Sequence, residues 1–140
     1  EQGYIVPKKS VFNRIVGDSH VELEFANFLE RCHDVAAFAK NYLAVNFKLD
    51  YVNADGDIAN YYPDFLVKLI DGRIVIVETK GLEDLDVPHK LDRLRQWCTD
   101  VNQSQTEIRY DFVFVDEAGF QQYKPASFQQ LMAAFTEYKV

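Results

Sequence analysis

Tyr61-Tyr62-Pro63-Asp64-Phe65-Leu66-Val67 and, past Asp71-Gly72, Arg73-Ile74-Val75-Ile76-Val77-Glu78-Thr79-Lys80-Gly81 form the stretch whose reading decides the fold. Two apolar runs rich in β-branched and aromatic residues flank an Asp-Gly pair, a strong short-range signal for a β-hairpin. Charges are unexpected at the ends of such strands. An Asp between Tyr-Tyr-Pro and Phe-Leu-Val, and a Glu directly after Ile-Val-Ile-Val, each lose much of their hydration, which is costly unless something cationic compensates. A bound metal ion is one such compensation.

The hairpin register decides whether the two acids can share a ligand. With a two-residue loop, Ile70 opposes Arg73 and Asp64 opposes Thr79, which puts Asp64 and Glu78 on opposite faces. With a three-residue loop, Ile70-Asp71-Gly72 with Gly72 left-handed in a G1 bulge, Leu69 opposes Arg73 and Asp64 falls opposite Glu78. Glu78 and Lys80 then share a face, because strand side chains repeat every two residues. Metal chemistry at this hairpin requires the second register, or an equivalent bulge near Pro63.

Upstream, residues 1–17 read as an extended lead-in. Asp18 or Ser19 is a candidate N-cap, and Glu22, three residues after Ser19, completes a capping-box pattern. A helix is expected from about His20 to Cys32. Glu22, Phe25, Ala26 and Leu29 share one of its faces, so Glu22 points toward the core side, as a capping partner or as a functional acid. Glu24 and Glu30 fall off that stripe, toward solvent. Val35–Leu43 fits a short strand or more helix. Val45–Tyr51 alternates apolar and polar and is expected to be the first strand. Asn53–Asn60, with Asp55-Gly56-Asp57, reads as a polar turn, because the Glu spacing of a calcium loop is missing.

Downstream, an acidic loop at 81–87 leads to Pro88, which suits the first turn of a helix running to about Asn102. Leu91, Leu94, Trp97, Cys98 and Val101 form its apolar stripe, and Lys90 lies at its start, beside the end of the Glu78-Thr79-Lys80 strand. Tyr110–Val115 reads as a buried strand. Ala126–Tyr138 reads as a terminal amphipathic helix with Phe128, Leu131, Met132 and Phe135 inward.

The 140 residues suit a single domain, 1–140, with an ordinary 48% hydrophobic and 26% charged composition. No apolar run approaches the roughly 18 to 20 residues that span a bilayer. With Cys32 and Cys98 lacking disulfide-framework or zinc spacing, and no secretory leader, a soluble, cytoplasmic protein is expected. A first residue of Glu rather than Met suggests a fragment of a larger enzyme. A formal charge of −7 opposes broad attraction to a polyanion. Metal-dependent phosphodiester chemistry nevertheless needs carboxylates, and other domains can supply a basic surface.

The order of elements, with Pro63-Asp64 and Glu78-Thr79-Lys80 on adjacent strands behind a helix carrying Glu22, resembles the PD-(D/E)XK nuclease superfamily. More closely, Ser19-x-x-Glu22-x-x-Phe25-Ala26-x-x-Leu29, Lys40-Asn41, Tyr62-Pro63-Asp64-Phe65, Glu78-Thr79-Lys80-Gly81, Lys90 and Trp97 resemble the C-terminal endonuclease domain of type III restriction enzyme Res subunits and related helicases. The resemblance covers roughly Val11 to Val115. It implies an α/β, restriction-endonuclease-like fold, a mixed β-sheet flanked by helices. It also implies a magnesium-dependent endodeoxyribonuclease, with manganese as an alternative, acting on DNA beside helicase or translocase and modification subunits.

In that resemblance Asp64, Glu78, Lys80 and Glu22 are catalytic. Asp64, Glu78, the Thr79 backbone carbonyl and Glu22, directly or through water, hold the metal, and Lys90 and Lys40 contact nucleic acid. The residue types suit the chemistry. Magnesium takes oxygen ligands, usually one or two carboxylates plus phosphate. An ammonium cannot ligate it but can stabilise charge that grows in the transition state. One rival reading is a sheet-end ion pair among Asp64, Glu78 and Lys80 without catalysis. Another is a catalytically silent nuclease-fold module for nucleic-acid binding or assembly. Other hydrolase classes lack support: there is no Gly-rich phosphate loop, no Gly-x-Ser-x-Gly, and no zinc spacing among His20, His33 and His89.

Overall fold

The hairpin forms with a three-residue loop. In the computed structural model Gly72 has φ +95°, its N–H donates to the Leu69 carbonyl at 2.9 Å, and the Leu69 N–H donates to the Arg73 carbonyl at 2.9 Å. A side chain at that φ is strained, so glycine permits the loop. The Asp71 carboxylate closes it, accepting from the Arg73 backbone N–H at 3.0 Å. The structure describes residues 4–5, 8–9, 15–16, 20–41, 47–80 and 85–136, with only the backbone of 4–5, 15–16, 20–21 and 80. The lead-in's capping residues Asp18 and Ser19 lie outside it.

In chain order the elements are β1 (Tyr4–Ile5), β2 (Ile15–Val16), α1 (His20–Arg31), β3 (Val35–Lys40), β4 (Leu49–Val52), β5 (Ile58–Tyr61), β6 (Phe65–Leu69), β7 (Ile74–Lys80), α2 (Val87–Ser104), β8 (Tyr110–Asp116), α3 (Glu117–Tyr123) and α4 (Phe128–Ala134). A four-stranded sheet runs β3-β6-β7-β8, antiparallel except for the parallel β7–β8 pair. A parallel pair needs a long crossover, which α2 supplies. The fold is therefore α/β, a mixed sheet with helices on both sides, as in a restriction-endonuclease-like domain.

Alternation along β7 distributes the core. Val75 and Val77 face an aromatic-rich core with Phe25, Phe28 and Leu29 of α1, Phe120 of α3, and Phe128 and Leu131 of α4. Ile74 and Ile76 face the other way, onto Leu91, Leu94 and Cys98 of α2 and onto Leu49, Tyr51 and Tyr61 of β4 and β5. Glu78 continues the second series and so faces α2.

Several expectations change. Val35–Lys40 is strand, paired with β6. The strand expected first is neither first nor part of the main sheet: Leu49–Val52 pairs with Ile58–Tyr61 as a separate hairpin. Its loop is the Asp-Gly-Asp turn, with Gly56 at φ +87° and the Asn53 side chain accepting from the Asp55 and Asp57 N–H groups at 3.0 Å each. The terminal helix expected over Ala126–Tyr138 is described as the shorter α4, Phe128–Ala134, and a helix that was not expected, α3, precedes it, ending where Lys124 takes a left-handed φ of 44°. Glu30 does more than face solvent, since its Oε1 accepts from the backbone of Lys8 and Lys9 at 2.6 and 2.8 Å.

Candidate active site

Phe65 pairs with Val77, so continuing the register by one residue sets Asp64 opposite Glu78, both on the α2 side of the sheet. The ladder then departs from regularity at Pro63. Hydrogen-bonded pairs alternate with non-bonded ones from Leu69/Arg73 onward, which makes Pro63/Thr79 the next bonded position. Proline has no N–H to give the Thr79 carbonyl. The Pro63 carbonyl is in turn taken by Asn41 Nδ2 at 2.8 Å. The Thr79 N–H turns instead to Asp64 Oδ2 at 2.8 Å, and the Thr79 hydroxyl donates to the same oxygen at 2.9 Å.

Asp64 is thereby locked through one carboxylate oxygen, while Oδ1 receives no bond from the described residues. Asn41 holds the rest of the turn. Its N–H donates to the Asp64 carbonyl at 2.8 Å, and its buried side chain exchanges bonds with Phe47, Nδ2 to the carbonyl at 2.7 Å and N–H to Oδ1 at 3.1 Å. Sequence reasoning gave Asn41 no role, and its only signal was its place after Lys40 in the resemblance.

Glu78 is 2% exposed and Asp64 half-buried. Both lie close enough to the Tyr61 phenol to act on it. Burial first, then the Glu78 and Asp64 carboxylates, push that hydroxyl well above its ordinary pKa of 10.0, so it stays protonated. Lys90, from the first turns of α2, brings its ammonium 5.6 Å from the Tyr61 ring centroid and 5.9 Å from that of Tyr51. Such placement over two ring faces is attractive to a cation. The rings meet edge to face at 6.2 Å, and the Tyr51 hydroxyl donates to Asp86 Oδ2 at 3.1 Å. Asp86 Oδ1 also accepts from the Ala54 N–H at 2.9 Å, tying the β4–β5 hairpin to the start of α2.

Glu22 and Lys40 meet elsewhere. The Lys40 Nζ sits 2.8 Å from Glu22 Oε1, with side-chain exposures of 6% and 9%. Lys40 opposes Phe65 in the ladder, and its ammonium lies 5.8 Å from that ring, which belongs to the α1 core. Lys80 ends β7 with its Cα beside Asp116; its side chain lies outside the described residues.

The donor set on the α2 side is all oxygen: Asp64, Glu78 and the Thr79 carbonyl opposite Pro63. That composition suits a hard divalent cation such as magnesium, which needs only one or two carboxylates. Among the described residues no group of three His, Cys, Asp or Glu is placed to hold a metal. On the α2 side the described oxygen donors for such an ion are the two carboxylates and the Thr79 carbonyl.

Residues 8–114 match a family model described as an endonuclease domain, over nearly the span of the resemblance read from the sequence. No curated protein and no solved structure matches the chain. No described helix is long and apolar enough to cross a membrane.

Proposed function

The chain belongs to the endonuclease domain family, nucleases whose substrate is DNA, and on that premise we propose that it hydrolyses DNA phosphodiester bonds at Asp64 and Glu78 with a divalent metal, magnesium or manganese. The observation that carries this reading is the hairpin register, which sets the two acids opposite each other on one face. Asp64 offers the oxygen not used by Thr79, and Glu78 and the Thr79 carbonyl complete an oxygen set. When bound, such an ion supplies Lewis-acid polarisation of the phosphate and acidifies the attacking water.

The chain's own residues do the rest. Thr79 fixes the Asp64 carboxylate, Asn41 fixes the Pro63-Asp64 turn, and the neutral Tyr61 and apolar walls keep the floor of the site dry. Lys90, held over two tyrosine rings, offers its ammonium to a DNA phosphate. Lys80 is assigned the charge that stabilises the transition state, by its place two residues after Glu78. Glu22 and Lys40 support the site from the α1 side as an ion pair, leaving Lys90 as the nucleic-acid contact. With a net charge of −7, the basic surface for DNA would come from other parts of a type III restriction-like enzyme, including its translocase and modification subunits, in the cytoplasm.

The test is a titration of magnesium or manganese against cleavage of supercoiled plasmid, with Asp64→Ala alongside. Metal-dependent cleavage lost in the variant is the expected result. Cleavage indifferent to chelator, or retained in Asp64→Ala, would sink the assignment; metal binding with no cleavage in either protein would favour a silent module.

A further inference from the structure

Tyr61 is 2% exposed, and its hydroxyl has no hydrogen-bond partner among the described residues. Such a group costs about 1 to 3 kcal/mol, and folded proteins rarely leave one without a use. The nearby Tyr51, in the same core, shows the ordinary solution: its hydroxyl donates to Asp86. The Tyr61 ring is not free to swing away to find a partner. Its strand is paired residue by residue with β4, Tyr51 packs against its edge, and the Lys90 ammonium lies over it. Carboxylates offer only acceptors, so toward Asp64 and Glu78 a phenol hydroxyl can serve only as a donor.

We propose that Tyr61 is a positioning residue of this nuclease site, whose hydroxyl donates to the Asp64–Glu78 carboxylate pair when the site is loaded with a divalent cation, fixing the pair's orientation. The inference rests on the reading of that pair as the metal site. It has a physical motive: carboxylates that hold a metal are themselves hydrogen-bonded, and losing such a partner typically costs about 10- to 100-fold in metal affinity or activity. It also explains why the sequence places a tyrosine, rather than a phenylalanine, at a fully enclosed position.

Tyr61→Phe keeps the ring, its packing and its attraction for Lys90, and deletes only the donor. Melting is followed in chelator and with saturating manganese, together with manganese affinity by calorimetry and single-turnover plasmid cleavage, with Tyr51→Phe and Asp64→Ala as references. In chelator Tyr61→Phe is expected to melt at or above the wild type, whereas Tyr51→Phe melts lower. With manganese, the rise in Tm of Tyr61→Phe should be smaller than that of the wild type, its affinity weaker, and cleavage slower by about 10- to 100-fold. Two results overturn the inference: an equal loss of Tm in chelator and in manganese with cleavage unchanged, or a manganese response and rate equal to the wild type. If Asp64→Ala cleaves normally, the metal-site reading falls and this inference with it. If Asp64→Ala is dead and Tyr61→Phe is unaffected, only the role of Tyr61 is lost.

Discussion

Beneath α1, the Glu22 carboxylate lies 2.8 Å from the Lys40 ammonium with both side chains almost excluded from solvent. Across the sheet, on the α2 side, the register sets Asp64 opposite Glu78, and Lys90 lies over the ring of buried Tyr61. One acid meets one base on the first face, so its charge is settled by the fold. Two acids stand side by side on the second face, an oxygen pair of the kind a divalent cation takes. The difference is between an acid met by a base at 2.8 Å and two acids set opposite each other across a strand pair.

Removing an acid from the second face should therefore produce the largest functional change and the least structural damage. Asp64→Ala or Glu78→Ala is expected to lower metal-dependent cleavage by more than roughly 100-fold, since even the hydrogen-bonding partners of metal ligands contribute about 10- to 100-fold. The metal-free melting temperature of Glu78→Ala should hold or rise, because like charges brought together oppose folding, whereas Asp64→Ala also leaves the Thr79 N–H and hydroxyl without their acceptor and should melt lower. Cleavage assays and calorimetric melts in chelator check both halves. An unfolded variant would erase the contrast between the faces.

On the first face the expectation reverses. Lys40→Ala removes the cation 2.8 Å from the buried Glu22 carboxylate, and breaking such a pair costs about 3 to 5 kcal/mol. The double variant Lys40→Met with Glu22→Leu removes both charges and should recover most of that loss. Urea denaturation of the single and double variants measures it. If Lys40→Ala is as stable as the wild type but binds DNA more weakly, Lys40 belongs to the nucleic-acid surface instead.

The features legible in the sequence were those set by local chemistry. Asp71-Gly72 marked the hairpin, but left a two-residue and a three-residue register both open, and the structure takes the second. The stripe Glu22-Phe25-Ala26-Leu29 likewise located α1 within a residue at its C-terminal end. What was hidden depends on distant partners. Val35–Lys40 carries no helix or strand period that outweighs the other, and β6 decides it by pairing. Ile58–Asn60 read as the end of a polar turn and Tyr61 as the start of the central hairpin, whereas Ile58–Tyr61 pairs with β4 as a strand of its own. The short helix α3, Glu117–Tyr123, was not anticipated at all. In the site, Lys40 could be recognised as notable but not as Glu22's partner, and the bond from Asn41 to the Pro63 carbonyl spans 22 residues.

A smaller effect tests the hairpin that orders the second face. Gly72→Ala places a Cβ in open space, so only the backbone conformation at φ +95° opposes it. The expected loss is on the order of 1 to 2 kcal/mol, the cost of a left-handed residue with a side chain. Because the flanking ladder fixes the register independently, metal-dependent cleavage by the folded protein should stay close to normal. Chemical denaturation together with cleavage below the transition checks this. A variant that is stable yet inactive would mean that the loop slipped to two residues and carried Asp64 to the opposite face.

The smallest effect expected at neutral pH belongs to Cys32, which lies with no solvent exposure in the α1 core. Burial, and then the Asp34 carboxylate, push its thiol from an ordinary 9.0 up to about 12. The folded form therefore holds the proton more tightly than the unfolded form. This stabilising difference is fully present below pH 9 and is lost as pH rises from 9 toward 12, where the unfolded thiol ionises first. Between pH 7 and 8.5 a Cys32→Ala variant should thus show a constant stability offset from the wild type, set by packing alone. Above pH 9 that offset should shrink, because the wild type loses a contribution that alanine never had. Denaturation curves of both proteins at half-unit steps from pH 7 to 10.5 measure the offset. An offset that changes below pH 8.5 would show that the thiol ionises in the folded core and that the α1 face is wetter than its packing implies.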